Sequence, residues 1–452
     1  MVETACSNFK VVVIGGGLVG SLATVYFANK DIRQDKHASG RSINLALSTR
    51  GIEALKGAGV DDEIIPTLIP MKGRYIHALD GSFNTQNYGI FGQCINSVDR
   101  KLMNEKLLTV AEKHALVKLN FEVGVERCDF ESGEITFVNN KKEKIIVSDA
   151  DLIIGADGAF SKVRQQLLRQ LTMNFSQEYI GHLYVELNMP PTKSGDYAMD
   201  SNHLHIWPRE TFMMIALPNL DKSFTVTLFM PKEKFASIKT HQDLLTFFDV
   251  TFPDAVTLIG RDLLVEDYFK NPKGTLMTVK CDPYHYKNKA VIVGDAAHAM
   301  VPFYGQGMNC GFEDLIVLNE LFSEHVPSNR APTEEELGTI LSKYTETRKK
   351  DAHAICDLAK QNYIEMRSGV INPKYLLRKK FEDFWHRRFP DLIVPLYTMV
   401  SFSRIPYSEA LQRYEKQTTW FEWYLKARIT FKVVLALAVA KAFMPLVKKL
   451  IQ

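Results

Sequence analysis

Short apolar runs, each followed by a turn and then by residues at helical spacing, recur three times along the chain. Residues 11–14 form a β-branched run with no polar break, which predicts a strand buried on both faces. Residues 152–154 and 290–293 repeat the pattern before a second and a third turn. Strands that alternate with helices in this order are typical of a parallel α/β sheet.

A different pattern fills the middle of the chain, where apolar and polar residues alternate over short segments. Residues 204–207, 212–217 and 224–230 predict strands, and Asp80-Gly81 predicts a hairpin. These segments indicate a mostly antiparallel sheet with one covered face. Such a face can cover a small aromatic ligand.

Helices are predicted where apolar residues recur every three to four positions. Residues 96–112 predict a helix with Ser97 as its N-cap and Arg100 in its first turn. Arg100 is either a solvated surface cation or, beside a nucleotide fold, a phosphate clamp. The other predicted helices are 50–60, one from about Ser161, 308–322 and a helical region after about Leu337.

Three glycines follow the first strand at G-x-G-x-x-G spacing, namely Gly15, Gly17 and Gly20. With a strand before and a helix after, this spacing predicts a dinucleotide site. Gly15 permits the tight turn, Gly17 admits a pyrophosphate to the backbone, and Gly20 lets helix and strand pack closely. The motif leaves FAD and NAD(P) open, and the alternative is a glycine-rich turn without a ligand.

The segment after the first helix lacks a recognisable second strand, which a dinucleotide fold needs. Residues 29–37 are polar, and neither Asp31 nor Asp35 ends an apolar run where an acid could hold a ribose hydroxyl. We therefore expect this strand to be missing or too irregular to recognise. A shortened chain that binds its dinucleotide weakly is the corresponding hypothesis.

Acidic residues also follow the second and third apolar runs. Asp157 lies in G-A-D-G, and Asp295 begins a loop that leads to the helix predicted from Met308. Carboxylates at strand ends suit sugar or ribityl hydroxyls, and amides at a helix start suit a polarised carbonyl or an anionic ring. His298 is a candidate base, but no partner acid stands at catalytic spacing, so a structural role is favoured.

Composition limits the alternatives. A chain of 452 residues is long enough for two or three domains, and a net charge of +3 gives no reason to expect nucleic-acid binding. The six cysteines are scattered without C-x-x-C spacing, so we expect reduced thiols and no metal site. The first residues show no apolar leader, so we expect neither cleaved secretion nor import into the mitochondrial matrix.

The last residues differ in kind from the rest. Residues 429–447 are apolar apart from Thr430, Lys432 and Lys441, and basic residues flank the segment. As a helix it would extend about 28 Å, close to the thickness of a bilayer core. We expect membrane contact through a spanning helix, and the alternative is an amphipathic helix that lies on the protein or on the membrane surface.

The three turns together resemble one family. The motifs G-G-G-L-V-G, G-A-D-G and G-D-A-A-H-A-x-x-P-x-x-G-Q-G-M-N, in this order, are similar to those of the single-component FAD-dependent aromatic hydroxylases. The resemblance covers about residues 9–410. Residues 40–48, 205–209, 362–367 and 395–400 resemble the members of that family that hydroxylate L-kynurenine with NADPH and O2.

The resemblance implies an α/β fold with a Rossmann-like FAD-binding domain, an inserted antiparallel-sheet substrate domain, C-terminal helices and a hydrophobic tail. The expected domains are residues 9–70, 95–178 and 280–330 for FAD, 71–94 and 179–279 for the substrate, 331–425 for the helical region and 426–452 for a membrane-anchoring tail.

The resemblance also implies roles for particular residues. The cofactor-binding residues would be Gly15, Gly17, Gly20, Arg41, Arg100, Asp157, Asp295, Gly307, Met308 and Asn309. Those that hold the amino-acid end of the substrate would be Arg74, Tyr88, Asn362 and Tyr397. An arginine suits a bidentate grip on a carboxylate. Apolar walls for the aniline ring would be Phe229, Phe303 and Ile215, with ordinary core packing as the alternative.

In such enzymes the flavin carries out the chemistry, so we expect no catalytic side chain and no metal. By resemblance, NADPH reduces FAD, O2 forms a flavin C4a-hydroperoxide, and its distal oxygen passes to the ring carbon ortho to the aniline amine. The product would be 3-hydroxykynurenine, in tryptophan catabolism towards NAD and quinolinate. The expected location is the mitochondrial outer membrane, with the catalytic body facing the cytosol. A single G-x-G-x-x-G motif fits an NADPH that visits the surface.

Two alternatives remain open from the sequence. One is a different flavoprotein of the same fold, such as a reductase or a quinone-linked oxidase. The other is a membrane-tethered protein that lacks the second strand and binds kynurenine without turnover.

Overall fold

The computed structural model describes residues 9–29, 33–37, 45–147, 149–327 and 330–451. The strands, in chain order, are β1 Lys10–Ile14, β2 Arg33–His37, β3 Leu45–Leu47, β4 Ile69–Met71, β5 Gly73–His77, β6 Phe83–Asn87, β7 Ile95–Val98, β8 Val117–Leu119, β9 Val123–Asp129, β10 Glu134–Asn139, β11 Lys144–Val147, β12 Leu152–Gly155, β13 Asn174–Met189, β14 His203–Arg209, β15 Phe212–Pro218, β16 Phe224–Pro231, β17 Gly274–Asp282, β18 His285–Tyr286 and β19 Ala290–Ile292.

The helices, in chain order, are α1 Leu18–Ala28, α2 Thr49–Gly57, α3 Asp61–Ile64, α4 Arg100–Glu112, α5 Lys162–Gln170, α6 Lys232–Ser237, α7 His241–Thr251, α8 Pro253–Ile259, α9 Arg261–Lys270, α10 Asp295–His298, α11 Gly307–His325, α12 Glu334–Arg367, α13 Pro373–Arg388, α14 Leu396–Ser401 and α15 Tyr407–Ile451. Short 3-10 turns are formed by Ile65–Thr67, Pro302–Tyr304 and Gly369–Ile371. The predicted alternation of strands and helices around the three glycine-containing turns is confirmed.

The first sheet carries the nucleotide turn. In the described part of the chain it has six strands in the order β18-β19-β12-β1-β2-β8. β1 pairs in parallel with β12 on one side and with β2 on the other. Residues 11–13 at its centre are fully buried, which confirms the prediction of a strand enclosed on both faces.

The second parallel strand, which the apolar pattern does not reveal, is present. β2 pairs with β1 over all of its length and with β8 on its other side. The prediction of a missing strand is therefore wrong. A strand that lies between two others is held by main-chain hydrogen bonds, and the pattern of apolar residues gives no information about those bonds. Asp35 lies opposite Val12 in the middle of β2, and Asp31 lies outside the described residues.

The second sheet is the antiparallel one. Its described strands are seven, in the order β17-β13-β16-β15-β14-β5-β6, and only the β14–β5 pair among them is parallel. One face packs under α6 to α9 around a core that includes Trp207 and Phe248. The opposite face carries Phe229 and joins the main core. The hairpin predicted at Asp80-Gly81 is confirmed, because it joins β5 to β6.

Helix α4 begins later than predicted. Ser97 lies in β7, and its hydroxyl donates to the carbonyl of Pro218, so the prediction of Ser97 as the N-cap is wrong. The cap is Asp99, whose carboxylate accepts from the N–H of Lys101 at 2.7 Å and of Leu102 at 3.0 Å. Serine and aspartate are equally good caps, and the pairing of β7 with β3 and β4 decides between them.

The last helix, α15, changes character along its length. Tyr407 and Ala410 near its start are fully buried and Phe421 is buried, whereas Trp423 is 73% and Phe431 68% exposed. Among the described residues, no helix combines the length and the apolar character that crossing a bilayer requires. The expected transmembrane tail is therefore not confirmed.

Candidate active site

One large cavity extends from the glycine turn after β1 to the inner face of the second sheet. Its volume is about 1220 Å³, whereas pockets for single small molecules commonly measure about 300–1,000 Å³, so it has room for more than one ligand. The predicted site residues that line it are Gly15, Gly17, Arg74, Tyr88, Arg100, Asp157, Phe229, Asp295, Phe303, Gly307, Met308 and Tyr397, together with Ile215. Gly20, Asn309 and Asn362 lie behind this lining, and Arg41 lies outside the described residues.

The glycine turn leaves its main chain open to the cavity. Gly15 has φ +120°, and a Cβ there would meet the carbonyl oxygen of Ala156 at 2.2 Å. A Cβ at Gly20 would meet the carbonyl oxygen of Gly15 at 2.0 Å, which agrees with the predicted close packing of helix and strand. A Cβ at Gly17, the N-cap of α1, would meet no atom within 4 Å. Open space therefore lies before the first-turn N–H groups, as a pyrophosphate requires.

A second helix start faces the same cavity. Gly307 and Met308 open α11, and the N–H groups of a first turn have no partner within their own helix. The side chain of Asn309 braces this end, because its Nδ2 donates to the carbonyls of Ala46 and Gly305, each at 2.8 Å. The positive end of the helix dipole is thus held where an anionic or polarised ring could lie.

Two charged residues of opposite sign line the cavity between these helix starts. Enclosure by the protein raises the pKa of the Asp295 carboxyl, while the neighbouring His298 and Arg100 cations lower it, and the net direction is upward. Arg100 is the first residue of α4, whose cap fixes its position. A carboxylate suits ribityl or ribose hydroxyls and an arginine suits phosphate, so both fit an extended dinucleotide.

Asp157 caps a helix, which the sequence analysis does not predict. Its carboxylate accepts from the Ser161 hydroxyl at 2.5 Å and from the N–H groups of Lys162 at 2.6 Å and Val163 at 3.2 Å, so it caps the start of α5. Gly158 beside it has φ +82° and also lines the cavity. The contact of this turn with the cofactor stays a prediction, and the structure adds that the Asp157 carboxylate holds the start of α5.

His298 has the acidic partner that sequence spacing conceals. Its Nε2 lies 2.7 Å from Oδ2 of Asp314, and both side chains are fully buried. Burial lowers the pKa of His298. The Asp314 carboxylate raises this pKa by more than burial lowers it, so the net pKa lies well above its ordinary value. The same oxygen accepts from the N–H of Gly294 at 2.8 Å, which fixes the turn that carries Asp295. A structural role for His298 is consistent with this geometry.

The ion pair continues into a buried network behind the start of α11. Arg348 donates through Nε to Asp314 at 2.8 Å and through Nη1 to Glu313 at 3.1 Å. Arg50 reaches the other oxygen of Glu313 at 2.5 Å, and its guanidinium stacks 3.8 Å from the ring centre of Tyr407. The network thus ties α2, α11, α12 and α15 together below the cavity.

Three donors of this network are close enough to suggest a metal. Atoms of His298, Cys310 and Asp314 lie within 4.8 Å of one another. The Asp314 carboxylate is already engaged by Gly294, His298 and Arg348, two of which are cationic. A cation there would have to displace those partners, so the cluster is an ion network and not a metal site.

Arg74 and two tyrosines form the polar part of the substrate end. The Arg74 guanidinium lies 4.9 Å from the Tyr397 ring centre, and the rings of Tyr88 and Tyr397 stack 5.1 Å apart at 9°. Burial raises the pKa of both tyrosines, so their hydroxyls stay protonated and can donate. Burial lowers the pKa of Arg74, but Tyr375 and Glu365 raise it above its usual value. These groups suit a carboxylate.

Apolar rings complete the chamber. Phe229 meets Phe303 edge to face at 4.9 Å, and Phe303 stacks on Tyr363 at 4.0 Å. Asn362 supports this wall from behind, because its Nδ2 donates to the carbonyl of Phe303 at 2.7 Å. Ile215 lines the same space. The predicted walls therefore surround one chamber, and Asn362 holds one of them in place.

Some site residues escape the sequence analysis. Glu365 contacts Arg74 and Tyr375, and Tyr304 stacks on Tyr397 at 5.5 Å. Glu365 lies in the segment 362–367 that carries the family resemblance, which is the signal that could have marked it. Tyr375 lies on another helix, and no local pattern links it to the site.

A nucleotide turn on a parallel sheet, a helix start over the same cavity and an aromatic chamber on an antiparallel sheet define a flavin-dependent monooxygenase. The family described as "FAD binding domain" matches residues 8–359. The fold is similar to 2-methyl-3-hydroxypyridine-5-carboxylic acid oxygenase, with a TM-score of 0.64 and 19% identity over 83% of this chain and 96% of that one. p-Nitrophenol 4-monooxygenase from Pseudomonas putida gives a TM-score of 0.64 at 15% identity, over 84% and 94%.

Relatives of higher identity define the family. Kynurenine 3-monooxygenase of Drosophila willistoni is 45% identical over 427 residues, which are 91% of each chain. The Sus scrofa enzyme of that name is 45% identical over 90% of this chain and 87% of its own, and the Caenorhabditis elegans enzyme 41% over 90% and 93%. The chain belongs to the kynurenine 3-monooxygenase family, as the resemblance of its motifs predicts.

Proposed function

We propose that the protein hydroxylates L-kynurenine at ring carbon 3, with NADPH as the reductant and O2 as the source of oxygen. The single observation that supports this substrate most directly is the buried Arg74, which lies beside Tyr397 in the cavity that the glycine turn also lines. An amino-acid carboxylate held there would place an aromatic ring against the wall that Phe229 and Phe303 form. The names of the relatives point to the same substrate.

The residues of the chain would bind the cofactor and the substrate, orient them and exclude water. Bound FAD supplies the electron transfer and the oxygen activation. The glycine turn, Arg100, Asp295 and the start of α11 would hold the cofactor, and Arg74 with its tyrosines would hold the carboxylate. Phe229 and Phe303 line the chamber with apolar rings, and Tyr363 stacks on Phe303 outside the lining. These rings limit the access of water to the reacting atoms.

The alternatives from the sequence now carry different weights. The binding-only alternative depended on the absence of a second parallel strand, and β2 removes its motivation. A reductase or oxidase of the same fold would need no arginine and tyrosines arranged for an amino acid. The sequence has one G-x-G-x-x-G motif, which we assign to FAD. NADPH would therefore bind transiently at the surface, without a nucleotide-binding domain of its own.

Turnover with the purified, FAD-loaded protein tests the proposal. We expect NADPH oxidation to be stimulated by L-kynurenine and 3-hydroxykynurenine to appear in proportion to the NADPH consumed. Arg74→Lys should raise the KM for L-kynurenine by about ten- to hundredfold, because a bidentate contact is lost. NADPH oxidation without a hydroxylated product would favour a reductase or oxidase instead.

We further propose that the exposed part of α15 attaches the protein to a membrane. Ile429, Val434 and Leu437 are more than half exposed, and an exposed apolar helix is stabilised by insertion into a lipid interface. The mitochondrial outer membrane, with the catalytic body facing the cytosol, is chosen because of the family resemblance.

A further inference from the structure

A carboxylate at the substrate end has no role in the site predicted from the sequence. Arg74 is 5% exposed, and its Nη1 donates to Oε1 of Glu365 at 3.0 Å. The Tyr375 hydroxyl donates to the same oxygen at 3.0 Å. Among the described residues none hydrogen-bonds the other oxygen, Oε2. Glu365 precedes the lining residue Met366 on α12, and its side chain is 33% exposed.

Arg74 also has hydrogen-bonding capacity that the described residues do not use. Its Nε is buried and finds no partner among them. The five N–H groups of a guanidinium form a planar fork, so one edge can hold Glu365 while another binds a second anion. Among the described residues, the Arg74–Glu365 pair therefore keeps one unused donor on the arginine and one unused oxygen on the glutamate.

An α-amino acid presents both signs of charge on neighbouring atoms. Transferring an unpaired ammonium or carboxylate away from water is costly, so an enclosed site needs a partner for each. The polar lining residues Tyr88 and Tyr397 are uncharged. Lys379 of α13 is a cation near Arg74 and Glu365, but its Nζ donates to the carbonyl of Asn87 at 3.1 Å. The carboxylate that contacts Arg74 in the described structure is Glu365.

We propose that Glu365 accepts the α-ammonium of the substrate while Arg74 binds its α-carboxylate, and that this pair makes the enzyme prefer an amino acid to a plain carboxylic acid. The inference rests on the proposed function and deepens it. Tyr375 has a positioning role, because it holds one oxygen of Glu365 and leaves the other for the ligand.

A purely structural ion pair gives a different expectation. If Glu365 only orients Arg74, its removal weakens every ligand that carries the carboxylate to the same degree. If Glu365 binds the ammonium, its removal weakens only those ligands that carry the ammonium. The ratio of two dissociation constants separates these roles, and it does not depend on turnover.

The experiment compares L-kynurenine with its des-amino analogue, which keeps the carboxylate and the aminobenzoyl group and has hydrogen in place of the ammonium. Dissociation constants for the FAD-loaded protein are measured by calorimetry without NADPH. We expect the wild type to bind L-kynurenine on the order of ten- to hundredfold more tightly than the analogue, as a charge-assisted hydrogen bond predicts. In Glu365→Gln we expect this ratio to fall to about one, with tighter binding of the analogue.

Two further variants complete the test. Glu382→Gln removes the same charge from a nearby α13 carboxylate that pairs with Arg378 at 2.7 Å, and it should leave the ratio unchanged. Glu365→Asp keeps the charge but withdraws it by one methylene, and it should retain part of the preference. Flavin content and melting temperature identify any variant that is not folded.

Each outcome has a definite meaning. An unchanged ratio in a folded Glu365→Gln protein would overturn the role of Glu365 and leave the proposed function standing. A wild type that binds both ligands equally would do the same. A wild type that binds neither ligand would overturn the proposed function itself.

Discussion

At the scale of single residues, the three glycines of the nucleotide turn differ in what surrounds the missing side chain. Gly20 packs its Cα against the carbonyl of Gly15, where a Cβ would come within 2.0 Å of oxygen. Gly17 faces open space and has φ −74°, which any residue can adopt. Gly20 is therefore required by the fold. The described structure does not require a glycine at position 17, and we expect that requirement to come from a ligand in the cavity.

Substitution by alanine should separate these two requirements. Gly20→Ala should lower the free energy of unfolding of the apoprotein by about 2–3 kcal/mol, because backbone oxygen cannot move aside cheaply. Gly17→Ala should change it by no more than about 0.5 kcal/mol but weaken FAD binding by about tenfold. Urea titration of the apoprotein and flavin fluorescence on reconstitution measure the two effects. A Gly17→Ala protein with unaltered affinity for FAD would contradict the placement of the pyrophosphate.

Single residues also show which parts of the candidate site could be predicted from the sequence. The glycines could be predicted because their function is contained in one turn, and Arg74 and Tyr88 could be assigned by resemblance. Glu365 lies in the segment 362–367 that carries the resemblance, but no local pattern shows its contact with Arg74, which joins positions 291 residues apart. The pairing of Asp314 with His298 could not be predicted for the same kind of reason, because only the packing of α11 brings the two side chains together.

At the scale of elements, the buried ion network joins α2, α11 and α12 through a few charged side chains. The pKa of Asp314 is lowered, since the His298 and Arg348 cations outweigh the effect of burial. Removing one partner of a buried pair leaves the others uncompensated, which typically costs about 3–5 kcal/mol. The network therefore stabilises the folded state only while all its members keep their charges.

Its pH dependence can be stated with a sign. The folded-state pKa of His298 is raised, so its contribution is complete below the unfolded pKa of about 6.5 and declines as pH rises towards the folded value. The stability difference between wild type and His298→Gln should therefore be larger at pH 6 than at pH 9. Urea unfolding at the two pH values measures this difference. Asp314→Asn should lose about 3–5 kcal/mol at pH 6 and less at pH 9, where the contact with Arg348 remains. A difference between wild type and His298→Gln that grows with pH would refute the ion pair.

The elements themselves were predictable to different degrees. β1 and the helices after the second and third turns follow from local apolar spacing, and the structure confirms them. β2 did not, because polar residues can occupy an inner strand when the main chain is paired on both sides. The start of α4 was misplaced because two capping residues stand close together and β7 takes one of them.

At the scale of the whole molecule, α15 divides the protein into a packed body and an exposed extension. Phe421 packs against Phe381 with ring centres 5.4 Å apart, and Trp423 shortly after it is largely exposed. The described apolar residues beyond it, Ile429, Phe431, Val433, Val434, Leu435 and Leu437, are more than half exposed. Membrane attachment and catalysis should therefore be separable by a cut between the two parts.

Deletion of the residues after Arg428 tests this separation. We expect the shortened protein to move from the membrane pellet to the supernatant while it keeps its flavin content, because Tyr407 and Phe421 remain. Leu435→Asp with Leu437→Asp in the full chain should have a similar effect, since both side chains are more than half exposed. Continued sedimentation of the shortened protein with membranes would show that a second anchor exists.

The position of Tyr407 sets a practical boundary for crystallographers. Its ring covers the Arg50 guanidinium, and its hydroxyl donates to Gln306, the residue just before α11. A cut upstream of residue 407 would uncover the ion network and loosen the loop before α11, which lines the candidate cofactor cavity. We therefore expect such a version to purify without flavin colour. A truncation after residue 428 keeps Tyr407 and its contacts with Arg50 and Gln306. It also removes the exposed apolar segment, so we expect the shortened protein to crystallise more readily.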